Sequence, residues 1–425
     1  MDKLLPLSFT FLVFIFMVFK LWMRSKIKET PKNLPPAPWK LPIIGHLHLL
    51  IFALPHQRLA ELAKRHGSLM HLELGELSYV VVSSPEAAKE ALSPWCRNRI
   101  IQSFRYCFCT IWKLLEATSK SLHIGATQYE TSTIIPFSQR RAGRCKKHEA
   151  FISFLKKFVE AMAGFNIADL FPSIKFLPYL SGMRAELERF HHDIDTMLES
   201  IIQEHRDSSA NPEDSVDVTE DLVDVLLNLQ DHGGLEFPLT INNIKAVILD
   251  ILMGGTETSS TLAEWAMLEM MKNPRILGKA QAEETLRLHP PLPLLIPREN
   301  SERCEINGYE IPAKTRVIVN AWAIGRDSNY WNEAERFYPE RFIDGSVDYK
   351  GTNFEFIPFG AGRRICPGMS YGMAVVELSL AKLLSHFDWK LPNGMKNEDL
   401  DMTEAFGVSV KRKNELHVIP IPYCQ

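Results

Sequence analysis

The sequence has no long run of basic residues and no regular pattern of cysteines. Its formal net charge is −3, so nucleic acid is not an expected partner. The seven cysteines are unevenly spaced and do not form the framework of a small secreted protein. Cys107 and Cys109 have one residue between them, which is the wrong spacing for a zinc knuckle. These absences exclude a nucleic-acid-binding protein and a disulfide scaffold, and they favour a reducing compartment.

The chain begins with an apolar segment. Residues 4–19 carry no charge, and Lys20 can extend its ammonium outward, so the segment reaches Met23. About 20 apolar residues are enough to span a bilayer. No small-residue cleavage site follows, which favours a retained anchor over a cleaved signal peptide. We therefore expect residues 1–30 to be a membrane anchor with a cytosolic flank. The cations of that flank are Arg24, Lys26, Lys28 and Lys32.

Local patterns after the anchor predict a mainly α-helical chain with small β-sheets. Residues 31–42 contain five prolines and should form a stiff, extended linker. The predicted helices comprise residues 58–66, a helix starting at Ser84, and residues 149–162, 183–207, 221–230, 239–272 and 369–387. The predicted hairpins pair residues 69–74 with 79–82, fold 304–311 around Asn-Gly, and pair 408–410 with 416–418. Residues 165–180 are predicted to be an apolar loop and 208–217 an acidic one.

Residues 359–368, with the sequence FGAGRRICPG, place one cysteine among three glycines. Glycines let the backbone turn tightly and bring N–H groups close to the sulphur of Cys366. A helical pattern follows the loop, so the sulphur should lie near a helix N-terminus, where the thiolate is favoured. Arg364 supplies a cation that could meet an acidic group of a cofactor, or it is an exposed loop arginine. The loop therefore predicts a metal-binding thiolate.

The complete pattern F-x-x-G-x-R-x-C-x-G resembles the haem-binding loop of the cytochromes P-450, which are haem-thiolate monooxygenases. The resemblance implies the cytochrome P-450 fold for residues 31–425, behind an N-terminal transmembrane helix. It also implies that Cys366 binds the haem iron and that Phe359, Gly362 and Arg364 belong to the haem loop. Arg298 is either a second contact of a haem propionate or a solvent arginine.

The pattern of residues 239–272 contains the segment GGTETS at 254–259. Two adjacent glycines cost a helix about 2 kcal/mol relative to alanine, so some function should require them. The resemblance implies that this helix crosses the haem and that the glycines open a groove for O2. Thr258 and Glu257 would then form a proton relay, for which a hydroxyl beside a carboxylate is suited. The alternative is a kinked helix with a surface threonine and glutamate.

Two further motifs resemble a structural part of the family. Glu284 and Arg287 lie one helical turn apart, and residues 337–342, FYPERF, contain Arg341. The resemblance implies a buried ionic triad of these three residues that holds the haem loop in place. Glu257 and Glu284 are, however, only 27 positions apart, where relatives have additional helices. This shortening near 274–284 puts the position of the triad in question.

A second departure covers residues 93–148, where the expected helices have no counterpart in the pattern. Trp95 and Arg99 have the spacing of a haem-propionate clamp, but no helical periodicity surrounds them, and chance explains the spacing better. The resemblance makes the helices at 149–162 and 183–207 a roof over the active site, with the intervening loop near the membrane. It suggests substrate contacts at Met253, Leu294 and Phe406, each equally compatible with a plain core position.

The similarity is greatest to plant microsomal members, in the D subfamily of the seventy-one clan. It implies a monooxygenase that inserts one atom of O2 into a small hydrophobic metabolite of the terpenoid or alkaloid class. The cofactor would be haem, with electrons from NADPH through a reductase. The catalytic domain would face the cytosol on a single-pass anchor in the endoplasmic reticulum membrane. Three alternatives stay open, namely a membrane-anchored haem-binding remnant without monooxygenase activity, a chain that never folds stably, and a non-oxygenating dehydratase or isomerase.

Overall fold

The structure is a computed structural model that describes residues 33–92, 98–100, 167–180, 182–210, 221–233, 238–273, 279–405 and 407–422. The α-helices are α1 Pro55–His66, α2 Pro85–Leu92, α3 Ile167–Leu170, α4 Leu177–Leu180, α5 Met183–Ala210, α6 Leu222–His232, α7 Ile241–Lys272, α8 Lys279–Leu288, α9 Ala321–Ile324 and α10 Met369–His386. The strands are β1 Leu69–Leu74, β2 Leu77–Val82, β3 Asn98–Ile100, β4 Arg298–Asn300, β5 Cys304–Ile306, β6 Tyr309–Ile311, β7 Arg316–Val319, β8 Phe387–Lys390 and β9 Ile419–Pro422. The prediction of a mainly helical chain with small sheets is confirmed.

The largest sheet joins strands from distant parts of the chain in the order β1-β2-β7-β4-β3. β1 and β2 form the predicted antiparallel hairpin, and β2 pairs in parallel with β7, with Tyr79 opposite Arg316. β4 is antiparallel to both β7 and β3. The side chains of Val80, Val81 and Val317 are almost fully buried, so the sheet is covered on both faces. Arg99 lies in β3 and not in a helix, and Trp95 lies outside the described residues.

Helix α7 is the longest helix described, and at 32 residues it extends about 48 Å. It begins with a capping box in which the Thr240 hydroxyl accepts a hydrogen bond from the Asn243 amide. Its N-terminal half packs on α5 and α6 through an apolar cluster that includes Leu198 and Ile248. Its C-terminal half packs on α8 and α10 through residues such as Leu262, Leu286 and Met373. The predicted helix at 239–272 is confirmed, and it places α10 directly against α7.

Most of the shorter predicted elements also agree with the structure. The exceptions are the predicted loop at 165–180 and the predicted C-terminal hairpin. The hairpin β5–β6 turns at Asn307 and Gly308, both with positive φ, as an Asn-Gly turn requires. The predicted loop at 165–180 contains the short helices α3 and α4 instead. The predicted pairing of 408–410 with 416–418 is wrong, because Arg412 pairs with Glu404 and residues 413–418 form no strand. Leu416 and Val418 pack against the cluster around Trp265. β9 pairs with β8 instead.

Several predictions fall on residues that the structure does not describe. The membrane anchor at 1–30, most of the departing segment 93–148 and the helix at 149–162 are among them. Residues 34–40 of the proline-rich linker contain no helix or strand, as predicted. Within the described part of the chain, no helix is both long and apolar enough to cross a membrane.

Candidate active site

The loop around Cys366 is folded back on itself by backbone hydrogen bonds. The amide of Cys366 donates to the carbonyl of Phe359 over 3.0 Å. Gly360 and Gly362 have φ values of 73° and 72°, in the left-handed region that favours glycine. A Cβ on Gly362 would lie 2.6 Å from the carbonyl oxygen of Leu92, so no larger residue fits there. The predicted need for glycine in this loop is therefore confirmed at both positions.

Cys366 is half-buried and lies just before Gly368, the N-cap of α10. Burial raises the pKa of the Cys366 thiol, and a hydrogen bond from the Gly368 amide lowers it only in part. The expectation that the loop alone favours the thiolate is wrong, because desolvation of the sulphur outweighs the nearby backbone N–H group. A bound metal cation would reverse this balance, since its charge deprotonates a coordinating thiol.

Two arginines lie at this loop, of which Arg364 is exposed within the loop itself and Arg298 contacts it from β4. Arg298 is buried in β4, and its Nη2 donates to the carbonyl of Ala361 over 3.0 Å. Burial and, to a smaller extent, the positive charge of Arg364 together lower the pKa of Arg298 to about 10. Among the described residues, neither arginine has an ion-pair partner. Two unneutralised cations next to a half-buried sulphur are suited to a group that carries both a metal and carboxylates.

The glycine-rich part of α7 lies beside the start of α10. Atom Cε1 of Tyr371 is 3.7 Å from the position that a Cβ on Gly255 would occupy, and Ser259 lies close to Gly372. A Cβ on Gly254 would meet no atom of the described chain within 4 Å. Packing among the described residues therefore does not require glycine at 254. The structure places the predicted oxygen-handling segment against the start of α10, next to the Cys366 loop. The thiol of Cys366 and the two arginines at this loop are the groups that suit a haem, which carries both a metal and carboxylates.

Thr258 and Glu257 point in different directions. The Thr258 hydroxyl donates to the carbonyl of Gly254 over 2.6 Å. The Glu257 carboxylate instead accepts a hydrogen bond from Ser409 at 2.8 Å and pairs with Lys411 at 2.6 Å. No hydrogen bond between the two predicted relay residues occurs among the contacts described. The relay stays a prediction, and the contacts with Ser409 and Lys411 had no signal in the sequence.

The ionic triad is fully assembled. Arg287 binds Glu284 through two hydrogen bonds of 2.7 Å, and Arg341 lies 3.2 Å from the same carboxylate. Glu284 and Arg287 have no exposed side-chain surface. Arg287 also stacks over Trp331, whose ring packs against Phe356 shortly before the cysteine loop. The shortened connection near 274–284 has therefore not displaced the triad.

The remaining predicted site residues occupy mixed surroundings. Phe359 is half-buried with its ring 5.5 Å from that of Tyr349. Met253 packs against the cluster between α5 and α7, and Leu294 packs against the cluster under the large sheet. Both are half-buried, and Phe406 lies outside the described residues.

Comparison with known proteins gives a consistent picture. The family model described as Cytochrome P450 matches residues 35–111, 98–283 and 279–418. The breaks between these stretches fall at the two places where the sequence departs from the family pattern. The chain is 42% identical to premnaspirodiene oxygenase of Hyoscyamus muticus over 493 aligned positions, with 98% of this chain and 97% of the relative covered.

Two further relatives show similar coverage. The 5-epiaristolochene 1,3-dihydroxylase of Nicotiana tabacum is 41% identical, with 98% of this chain and 97% of the relative covered. Cytochrome P450 71D11 of Lotus japonicus is 44% identical, with 94% of this chain and 97% of the relative covered. These alignments are longer than the chain itself, so they include positions at which the relatives have residues and this chain has none.

Proposed function

We propose that this chain, which belongs to the cytochrome P450 family as a haem-thiolate monooxygenase of the 71D type, oxidises a small apolar terpenoid or alkaloid with electrons from an NADPH-dependent reductase. The observation that carries the proposal is the meeting of three features at one place. They are the half-buried Cys366, the two arginines Arg298 and Arg364, which have no ion-pair partner among the described residues, and the glycine segment of α7 that packs on the start of α10.

The residues of this chain suit distinct tasks in that reaction. Cys366 would hold the haem iron, and Arg298 and Arg364 would bind the haem carboxylates. Bound haem supplies the activation of O2, and its thiolate ligand favours cleavage of the O–O bond. The Thr258 hydroxyl holds its proton towards the Gly254 carbonyl, so its oxygen remains free to accept a hydrogen bond. Glu257 is the carboxylate next to Thr258 in sequence, and it would supply protons from the neighbouring side of α7.

The proposed substrate class is supported by the relatives of this chain. Premnaspirodiene oxygenase and 5-epiaristolochene 1,3-dihydroxylase are oxygenases of terpenoids, and both align with nearly the whole chain. Among the two substrate classes proposed, this favours a terpenoid. Premnaspirodiene is therefore a suitable first test substrate.

Location in the endoplasmic reticulum membrane is part of the proposal. The uncharged segment at 4–19 and the cations that follow it support a single-pass anchor with a cytosolic catalytic domain. Alkaline extraction of membranes tests this anchor. The full chain should remain with the membrane pellet, and a pellet free of the chain would contradict the anchor.

The decisive experiment is the absorption spectrum of membranes that contain the full chain, reduced and exposed to carbon monoxide. A strongly red-shifted Soret band is expected, because the sulphur of Cys366 is the proposed ligand. The variant Cys366→His should lose that band. Addition of the reductase, NADPH and premnaspirodiene should then give an oxygenated product. A haem-loaded chain that forms no product from a panel of terpenoids and alkaloids would contradict the proposal.

A further inference from the structure

Glu257 faces a segment that we call the terminal hairpin, residues 403–413. Its arms are joined by hydrogen bonds from the Ala405 amide to Lys411 and from the Lys413 amide to Thr403, each 2.8 Å long. Glu404 lies opposite Arg412 in the same pairing. Because successive residues of a helix are rotated by about 100°, Glu257 and Thr258 present their side chains to different neighbours. The hairpin is the neighbour of Glu257.

Two side chains of the terminal hairpin fix one oxygen of the Glu257 carboxylate. Ser409 donates its hydroxyl proton to Oε1 over 2.8 Å, and Nζ of Lys411 lies 2.6 Å from the same atom. Ser409 is buried, and the carboxylate is only 12% exposed. The Lys411 side chain is 34% exposed, so it reaches from solvent to the carboxylate. This arrangement holds Glu257 in one position and connects it to water through Lys411.

We infer that Lys411, assisted by Ser409, is a positioning residue that sets the place of the Glu257 carboxylate for proton supply. The inference rests on the proposed function and deepens it. A proton carrier is effective only within hydrogen-bond reach of its acceptor, so a mobile carboxylate transfers protons less reliably. The terminal hairpin, which lies about 150 residues further along the chain, thereby acts on the proposed relay.

The terminal hairpin has other attachments that do not depend on Lys411. The amide of Val410 donates to the carbonyl of Pro291 over 2.9 Å, and the indole of Trp265 donates to the carbonyl of Val410 over 2.9 Å. The amide of Leu416, just after the hairpin, donates to Glu264 of α7 over 3.1 Å. A substitution at Lys411 should therefore leave the hairpin attached to the protein. This makes the effect of the lysine on Glu257 separable from a loss of folding.

The test compares Lys411→Met with Lys411→Arg in the full-length haem protein, supplied with reductase, NADPH and premnaspirodiene. Lys411→Met should lower the product formed per NADPH consumed by about fivefold, since the carboxylate loses its cation. Lys411→Arg keeps the charge and should stay within about twofold of the parent. The matched control is Lys413→Met, because Lys413 is exposed two residues along the same arm and should leave the ratio unchanged.

Hydrogen–deuterium exchange of the same proteins supplies a readout that does not require turnover. Peptides covering Ser409 and Glu257 should exchange faster in Lys411→Met than in the parent, while peptides from the large sheet should not change. Equal product ratios in the parent and in Lys411→Met would overturn the inference, as would an equal loss in Lys413→Met. If the parent formed no product from the panel of terpenoids and alkaloids, the proposed function would fail by itself, and unchanged exchange in Lys411→Met would separately overturn the link to Glu257.

Discussion

Glu284 and Glu257 are both helix carboxylates that hold a distant segment of the chain, yet they differ in how far water reaches them. Glu284 has no exposed side-chain surface and is bound by Arg287, Arg341 and the amide of Tyr338. Glu257 is 12% exposed and its cation, Lys411, is 34% exposed. A buried charge must be fully compensated, whereas a partly exposed one can exchange its partner for water.

Glu284 and Glu257 each belong to a sequence motif, but this difference in exposure gives them different roles. Removing one partner from a buried ion pair leaves the other charge unpaired in a medium that solvates it poorly. Removing a partner from the Glu257 pair leaves a carboxylate that water can still reach. Glu284 is therefore a residue of the fold, and Glu257 is a residue whose position can be adjusted without unfolding the protein.

The largest effect is expected from Glu284→Gln. The neutral amide leaves Arg287 and Arg341 without their counter-charge, at a cost of about 3–5 kcal/mol. That is a large part of the total stability of about 5–15 kcal/mol that a domain of this kind has. We expect the variant to give little or no red-shifted carbon monoxide band per amount of chain expressed.

Glu333→Gln is the control for this prediction, because it carries the same change on the surface. Glu333 pairs with Arg336 at 3.0 Å, and both side chains are more than half exposed. Exposed pairs contribute about 0–1 kcal/mol, so this variant should give the parent's band. Equal haem content in Glu284→Gln and Glu333→Gln would mean that the triad does not hold the site together.

The fold is predictable from the sequence wherever short-range chemistry decides it. Gly67 ends α1, Asn307 and Gly308 close the β5–β6 turn, and the apolar period of 239–272 gives α7. The parallel pairing of β2 with β7 is different, because it joins Tyr79 to Arg316 across more than 200 residues. No local pattern specifies such a pairing, so the sequence does not predict it.

The candidate site also contains residues that the sequence identifies and residues that it does not. Cys366 and the triad are recognisable because each belongs to a motif with several fixed positions. Ser409 and Lys411 belong to no motif, and their contact with Glu257 depends on how the terminal hairpin lies on α7. The alternation of apolar residues near the C-terminus led to the wrong pairing of 408–410 with 416–418. Leu416 and Val418 are apolar because they pack in the core around Trp265.

An intermediate loss of stability is expected when the contact between the terminal hairpin and α1 is removed. Glu404 accepts hydrogen bonds from His56 at 2.8 Å and Gln57 at 2.7 Å, and so ties the hairpin to α1. Burial by itself would raise the pKa of Glu404, but the hydrogen bond and charge of His56, together with His289 and Gln57, outweigh it and the net shift is downward. The stabilisation is therefore present above pH 4.5 and is lost as the pH falls through the lowered pKa.

Glu404→Ala should lower the free energy of unfolding at pH 7 by about 1–3 kcal/mol, because His56 and Gln57 lose their acceptor. Denaturant unfolding of the haem protein measures this change, and hydrogen exchange should rise in peptides of the terminal hairpin. Glu398→Ala, in the exposed turn before the hairpin, is the matched control and should change neither quantity. A stability equal to that of the control would show that the hairpin needs no support from α1.

The smallest expected effect is on the pH dependence of the free energy of unfolding, to which His289 contributes. Its ring stacks on Trp265 with 4.1 Å between ring centroids, and its Nε2 lies 2.8 Å from Oε1 of Glu269. Burial lowers the pKa of His289, and Glu269 opposes this shift only in part. Below pH 6.5 the unfolded chain therefore takes up a proton that the folded chain does not. The contribution of His289 to the free energy of unfolding is therefore fully present above pH 6.5 and declines below it.

His289→Gln keeps an N–H donor for Glu269 but removes the titrating ring. The fall in unfolding free energy between pH 6.5 and 5 should become shallower than in the parent, by at most about 1.4 kcal/mol per pH unit for one proton. His417→Gln, at an exposed histidine, should keep the parent's slope. If His289→Gln also kept that slope, the folded chain would be binding the proton at His289, and Glu269 rather than burial would control the ring. The buried pair at His289 would then behave like Glu257 and Lys411, with a charge that its surroundings tolerate, and burial alone would no longer separate the two kinds of carboxylate.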